Sequence, residues 1–228
     1  MAILPQHIDK KWLEPFLLFS VLFLPGFILQ SSGMEGDLFD SVAFNFTTLV
    51  ISLPHIGLIL YMIWQKPRGA SHFGLHALTL PRIGQGILAF LGVYILLIPL
   101  SILLSVLSGT SIEGLNPVHW RVSNPLLLPL IFITCLTTGY REEIFFRSYL
   151  LTIFEDAGTP PWIAAILSSL LFSGGHLYQG VPGFLVALVL GLYFSWWYFR
   201  KRDLHTIALA HGFYNFFTLL LTMGAGIS

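Results

Sequence analysis

The sequence predicts an all-α, polytopic membrane protein of about seven transmembrane helices, with a polar site inside the membrane built by the four C-terminal ones. Three observations predict this: the composition, the run of uncharged stretches, and the placement of the few charges. Of 228 residues, 55% are hydrophobic and 10% charged, and the mean hydropathy is +0.80. An ordinary soluble domain carries about 25% charged residues. A soluble core of this size cannot hide so much apolar surface, so lipid must be part of the solvent. Residues 15–34, 41–65, 83–112, 122–140 and 204–228 contain no Asp, Glu, Lys or Arg, and neither does 157–199, which is long enough for two passes. A spanning helix needs about 20 mostly apolar residues.

Taken in order, residues 1–13 precede the first span, and Lys10 and Lys11 before an apolar run resemble a signal peptide. The run is long, contains Pro25 and ends in Gln30-Ser31-Ser32-Gly33 without an A-x-A site, so an uncleaved first span over roughly 15–31, kinked at Pro25-Gly26, is expected. Span 2 covers about 43–64 and holds His55. The loop from Pro67 to Pro81 contains His72 and His76, which at four apart could share a helix face and bind a metal; without a third ligand nearby, a polar juxtamembrane loop is the expectation. Span 3 runs over about 84–108 and is followed by a Gly, Ser, Asn and Pro-rich loop over 109–124. Span 4 starts near Pro125 and continues as helix to about Ala157, where Gly158-Thr159-Pro160-Pro161 stops it and starts span 5. Gln179-Gly180-Val181-Pro182-Gly183 is expected to divide spans 5 and 6, and Arg200-Lys201-Arg202-Asp203 to join spans 6 and 7.

The basic residues give an orientation. Lys10/Lys11, Lys66/Arg68/Arg82 and Arg200/Lys201/Arg202 fall in alternate loops, whereas the others contain Glu35, Asp37, Asp40 and Glu113 with Arg121 as their one cation. The excess of Lys and Arg marks the cytoplasmic side, which places the N-terminus inside and the C-terminus outside. Trp196-Trp197-Tyr198-Phe199 reads as an interfacial aromatic belt. Zero net charge gives no footprint for a nucleic-acid partner. The single Cys135 excludes an internal disulfide and reads as a small buried apolar residue.

Ionisable groups within a membrane are costly and mark pathways or reaction sites. Here they are Glu142, Glu143, Arg147, His176 and His211, with the amide of Asn215. The turn at 158–160 lies midway between Glu142 and His176, so an antiparallel hairpin sets those two level. His211 lies about 12 Å beyond its turn and Glu142 about 24 Å from its own, at 1.5 Å per residue. They meet if the hairpin projects about 10 Å beyond the membrane, with Glu155 and Asp156 near its tip. Glu143 and Arg147, four apart, should pair on one face. Glu142, offset by about 100°, stays free to act as a general base. Arg141 should belong to neither role, sitting near the inner boundary or a nearby acid. His211 and Asn215, also four apart, could offer two donors to a developing oxyanion. A carboxylate, a histidine and two donors form a water-activating hydrolytic site. A Glu–Arg pair with His and Asn can equally serve as interhelical glue. A proton-coupled transporter is disfavoured, since no inverted repeat is visible.

The motifs Glu142-Glu143-Ile144-Phe145-Phe146-Arg147 (EExxxR), Phe172-Ser173-Gly174-Gly175-His176 (FxxxH) and His211-Gly212-Phe213-Tyr214-Asn215 (HxxxN), each expected on a membrane helix, resemble those of the CPBP family: the CAAX-type prenyl endopeptidases and bacteriocin-processing intramembrane proteases, also called Abi. The resemblance covers about residues 125–228. The chain reads as a single transmembrane domain over 1–228, with spans 1–3 and the outer loop in 1–124, and the resemblance places the catalytic core in 125–228. It implies that Glu142, assisted by His176, activates water against a peptide carbonyl, that His211 and Asn215 stabilise the oxyanion, and that Glu143 and Arg147 support the site. It further implies a membrane-associated protein or peptide as substrate, lipidated or not, and the inner membrane of a prokaryote as the location. No cofactor is expected. The alternative is a His₂Glu zinc site of Glu142, His176 and His211 with an open position, although HExxH is absent. A non-catalytic scaffold, immunity or sensor protein keeping the same polar core is the competing class.

Overall fold

In the computed structural model, residues 10–30, 38–111, 115 and 122–224 are described; the loop charges Glu35, Asp37, Glu113 and Arg121 lie outside them. Helices and their connections account for all regular structure among the described residues. The first apolar run forms α1 (Lys10–Leu22) and α2 (Leu24–Gln30). The break falls at Phe23, two residues before Pro25, whose ring nitrogen has no proton to offer the preceding turn. Helix α3 (Val42–Trp64) starts where Ser41 Oγ accepts the Phe44 amide. A single turn, α4 (Gly69–His72), leads to α5 (Leu80–Ser108), which has Pro81 in its first turn and ends at left-handed Gly109.

The C-terminal half is assembled on one long interrupted helix. Asn124 caps a short 3₁₀ turn that leads into α6 (Leu128–Glu143). A π-helical segment (Ile144–Tyr149) follows and runs into α7 (Leu150–Asp156). Gly158, at φ +83°, turns the chain into α8 (Pro161–Gly174). A 3₁₀ turn, Leu177–Gln179, precedes α9 (Gly180–Lys201), and left-handed Arg202 leads to α10 (Leu204–Gly224). Asp203 caps that last helix through the Thr206 amide and hydroxyl.

Five segments have the length and apolarity to cross a membrane: Trp12–Leu29, Val42–Trp64, Leu80–Ser108, Leu177–Lys201 and Leu204–Met223. The two remaining predicted spans are the ones that carry the site, α6 through α7 with its charge cluster and α8 with 14 residues. The exterior is apolar, unlike that of a soluble protein, and a set of polar side chains is buried within the apolar core. Ile95, Val106 and Leu107 on α5 are about three-quarters exposed, whereas Ser168, Ser169, Ser195, Glu143 and Arg147 are fully buried. With apolar side chains outside and polar ones inside, the fold suits a lipid exterior, and the protein is an integral, multi-pass membrane protein.

Three expectations need correction. The division between spans 5 and 6 comes earlier than 179–183: α8 stops at Gly174, and Pro182 sits in the first turn of α9, where proline is tolerated. His176 therefore lies on a turn and not on a membrane helix. The aromatic belt at 196–199 is only partly one. Trp196 faces outward, but Trp197 and Tyr198 are buried, and the Tyr198 hydroxyl is within 2.9 Å of Thr152 Oγ1.

The basic loops gather at one end of the bundle. Asp156 at the hairpin tip binds Arg68 at 2.7 Å and approaches His72 at 3.1 Å. Glu155 pairs with Arg202, and His76 Nε2 lies 3.0 Å from the Arg202 carbonyl. The hairpin tip thus meets both loops that the charge pattern placed on one side.

Candidate active site

Helices α6 and α10 cross where Gly139 faces Gly212. A Cβ on Gly139 would fall 2.8 Å from the Ala208 carbonyl oxygen and the Gly212 nitrogen; one on Gly212 would fall 2.8 Å from Leu136 Cα. Only glycine permits this backbone approach. It sets His211, the residue before Gly212, against the glutamates one turn beyond Gly139.

Glu143 ends α6 and is fully buried, as is Arg147 in the π-helical segment. Arg147 donates to Glu143 Oε1 at 3.2 Å, as their spacing predicts. The same oxygen lies 2.7 Å from His211 Nδ1. A carboxylate only accepts, so Nδ1 carries the proton and the Nε2 lone pair of a neutral ring is left facing outward. That Nε2 lies 3.7 Å from Glu142 Oε2, so one imidazole stands between both glutamates. The π-helical segment begins directly after Glu143, and the Leu150 amide reaches back five residues to the Phe145 carbonyl. Such segments often occur at functional sites.

Glu142 is not free of arginine, which corrects the expectation for Arg141. Arg141 donates to Glu142 Oε1 at 3.0 Å, and its other terminal nitrogen lies 3.4 Å from Ser52 Oγ on α3. Each glutamate therefore has its own guanidinium, Arg141 for Glu142 and Arg147 for Glu143.

His176 follows the end of α8, and its Nδ1 lies 3.1 Å from the Phe172 carbonyl. With Nδ1 as donor, its Nε2 is the acceptor. Glu142 interacts electrostatically with Arg141, His211 and His176. Phe172 is central to the packing: its ring lies 4.8 Å from that of His176 and 5.8 Å from that of His211, and the Arg147 guanidinium sits 4.4 Å above it. Phe194 of α9 stacks on His211 at 5.5 Å. Both residues of FxxxH thus have a physical role, the carbonyl and ring of Phe172 orienting two histidines and one arginine.

Of the residues singled out in the sequence, Glu142, Glu143, Arg147, His176 and His211 come together. Asn215 lies one turn beyond His211 on α10 and is partly buried. Sequence reasoning missed Arg141, Ser52, Phe194 and the glycines. It also missed Gly191 on α9, where a Cβ would come within 2.9 Å of Ser169 Oγ and 3.0 Å of an Arg147 terminal nitrogen. Arg147 Nε, Glu143 Oε2 and Ser169 Oγ are buried without protein partners, the type of group that ordered water satisfies.

Among the described residues, no group of three His, Cys, Asp or Glu side chains is arranged to hold a metal. Arg141 donates to Glu142 Oε1 and Glu143 takes His211 Nδ1, which leaves Glu142 Oε2 and His211 Nε2 as the donor atoms a metal would use.

Residues 124–217 match the model of the family described as type II CAAX prenyl endopeptidase Rce1-like. No curated protein matches the chain, and no solved structure does. The matched segment contains every residue of the three motifs and excludes α1 to α5.

Proposed function

From the match of residues 124–217 to the Rce1-like model of type II CAAX prenyl endopeptidases, we propose that the chain is an intramembrane endopeptidase of glutamate type. Its substrate is a peptide bond in a membrane-associated protein or peptide, lipidated or not. The observation that carries this reading is the approach of His211 Nε2 to Glu142 Oε2 at 3.7 Å, with Phe172 packed against the rings of both His211 and His176.

In this reading Glu142 takes a proton from a water held between its Oε2 and the acceptor nitrogen of His176. The hydroxide forms a C–O bond to the scissile carbonyl carbon, and the carbonyl oxygen becomes an oxyanion. The Asn215 amide supplies one donor to it. His211 supplies the other through Nε2 when the ring is protonated, because its Nδ1 proton is already directed at Glu143. Glu142 then returns its proton to the leaving amine as the C–N bond breaks. Glu143 and Arg147 hold His211 and take no proton. The basic-loop end of the bundle is assigned to the cytoplasm, which gives a cytoplasmic N-terminus, an outside C-terminus and a site within the prokaryotic inner membrane.

A buried Glu–Arg–His cluster is also what a non-catalytic membrane scaffold, immunity or sensor protein would keep as a staple, and the same experiment separates the two. New peptide termini are compared between membranes holding the wild-type chain and membranes holding Glu142→Gln at equal abundance. Termini present only with the wild type support the peptidase. Equal termini in both overturn the assignment of Glu142.

A further inference from the structure

The two carboxylate oxygens of Glu142 have different neighbours. Oε1 accepts from Arg141 at 3.0 Å, and Oε2 faces His211 Nε2 at 3.7 Å. Adjacent residues on a helix point about 100° apart and do not ordinarily pair. Something outside α6 must turn Arg141 back toward Glu142, and that element is α3. Ser52 of α3 is fully buried, and its hydroxyl lies 3.4 Å from the Arg141 terminal nitrogen that Glu142 does not use. His55, three residues further along α3, also interacts with Arg141 electrostatically. The His55 Nδ1 and Arg141 Nε atoms are both buried without protein partners, so this side of the guanidinium is enclosed by protein.

We infer that Arg141 is a positioning residue for Glu142, and that Ser52 of α3, outside the family-matched segment, positions Arg141 in turn. This rests on the reading of Glu142 as the base. The guanidinium occupies Oε1 and fixes the carboxylate plane, so Oε2 is the oxygen presented to water and to His211. It also gives Glu142 a charge partner away from bulk solvent, where an unpaired carboxylate is costly. The rigid fork of arginine spans Ser52 and Glu142 together, which the single point charge of lysine cannot do. The N-terminal helices therefore complete the site by orienting its base.

The test uses the full chain in proteoliposomes and a quenched fluorescent peptide carrying a cleavage site found in wild-type membranes. Arg141→Lys should lower kcat about tenfold and Arg141→Met about a hundredfold, as expected for losing one and then both directed contacts to a charged group. Ser52→Ala should lower kcat severalfold. KM should stay unchanged in all three, and the partial rescue by lysine over methionine separates a directed charge from simple packing. If Arg141→Met does not fold, Ser52→Ala and Arg141→Lys decide. Wild-type kcat in those two, with Glu142→Gln inactive, overturns this inference alone. Cleavage by Glu142→Gln at the wild-type rate overturns the reading of the base itself. A melting cycle over Arg141→Lys and Glu142→Gln needs no substrate: coupled shifts support a held pair, and additive shifts overturn it.

Discussion

His211 Nδ1 lies 2.7 Å from Glu143 Oε1, the same oxygen that accepts from Arg147 at 3.2 Å. One carboxylate oxygen therefore ties α10 to the π-helical segment, and both glutamate and arginine are completely removed from solvent. Breaking a buried pair from one side leaves an uncompensated charge, which costs about 3–5 kcal/mol. Glu143→Gln and Arg147→Ala should each lower the melting temperature in detergent and reduce cleavage. Glu143→Gln combined with Arg147→Met should be less destabilised than the sum of its parts. Strictly additive melting shifts, or none, would remove the ion pair from the account of the site.

The glycine crossing gives a purely steric prediction. A methyl group on Gly139 or Gly212 would meet backbone atoms at 2.8 Å, whereas one on Gly57 meets nothing within 4 Å. Backbone cannot move aside as a flexible side chain can, so overpacking here should cost about 1–3 kcal/mol. Gly139→Ala and Gly212→Ala should melt earlier and lose activity, because they part His211 from the glutamates. Gly57→Ala should change neither. Equal melting of all three variants would mean that the helices slide apart without loss.

At the opposite end from the basic loops, Asp40 receives the Ser123 amide and hydroxyl and the Asn124 amide. This fastens the start of α3 to the entrance of α6. Burial alone would raise the Asp40 pKa, but the hydrogen bonds from Ser123 and Asn124 outweigh it and hold the carboxyl below its ordinary value. A depressed folded-state pKa adds stability that is fully present above the unfolded value, near 3.9, and is lost as pH falls through the lower folded value. Asp40→Asn should therefore melt below the wild type at neutral pH, and the gap should close on acidification below about pH 4. A gap that stays constant across that window would show that the carboxylate charge has no part in the fastening.

Much of this site was legible because it rests on local spacing. Glu143 and Arg147 pair because four residues on a helix bring side chains to one face, and Pro25 interrupts the first span because its nitrogen lacks a proton. The hairpin turn at 158–160 let His176 be matched to Glu142 by counting. What was not legible depends on neighbours distant in sequence. Adjacent helical residues diverge, so the spacing of Arg141 and Glu142 does not announce their pairing; the Ser52 contact that accompanies it comes from another helix. His176 was placed on a helix because Gly174-Gly175 within an apolar run does not announce an end. Gly139 and Gly212 stand out only once two helices are known to cross there. The burial of Tyr198 likewise depends on Thr152, 46 residues away, which no local pattern reveals.

The metal question turns on Arg141. A zinc ion bound by Glu142, His176 and His211 would lie beside a guanidinium 3.0 Å from Glu142 Oε1 and would use Oε2 and the His211 nitrogen that Glu143 leaves open. A glutamate-type peptidase needs neither ion nor rearrangement. Cleavage by the purified chain should therefore survive prolonged treatment with a strong chelator, and added zinc should not raise it. The alternative predicts activity lost on chelation and restored by one equivalent of zinc, since open three-ligand sites depend on their metal for the nucleophile. Metal content measured on the same samples closes the comparison. Stoichiometric zinc that rises and falls with activity would overturn the glutamate-type reading and reassign Glu142 from base to ligand.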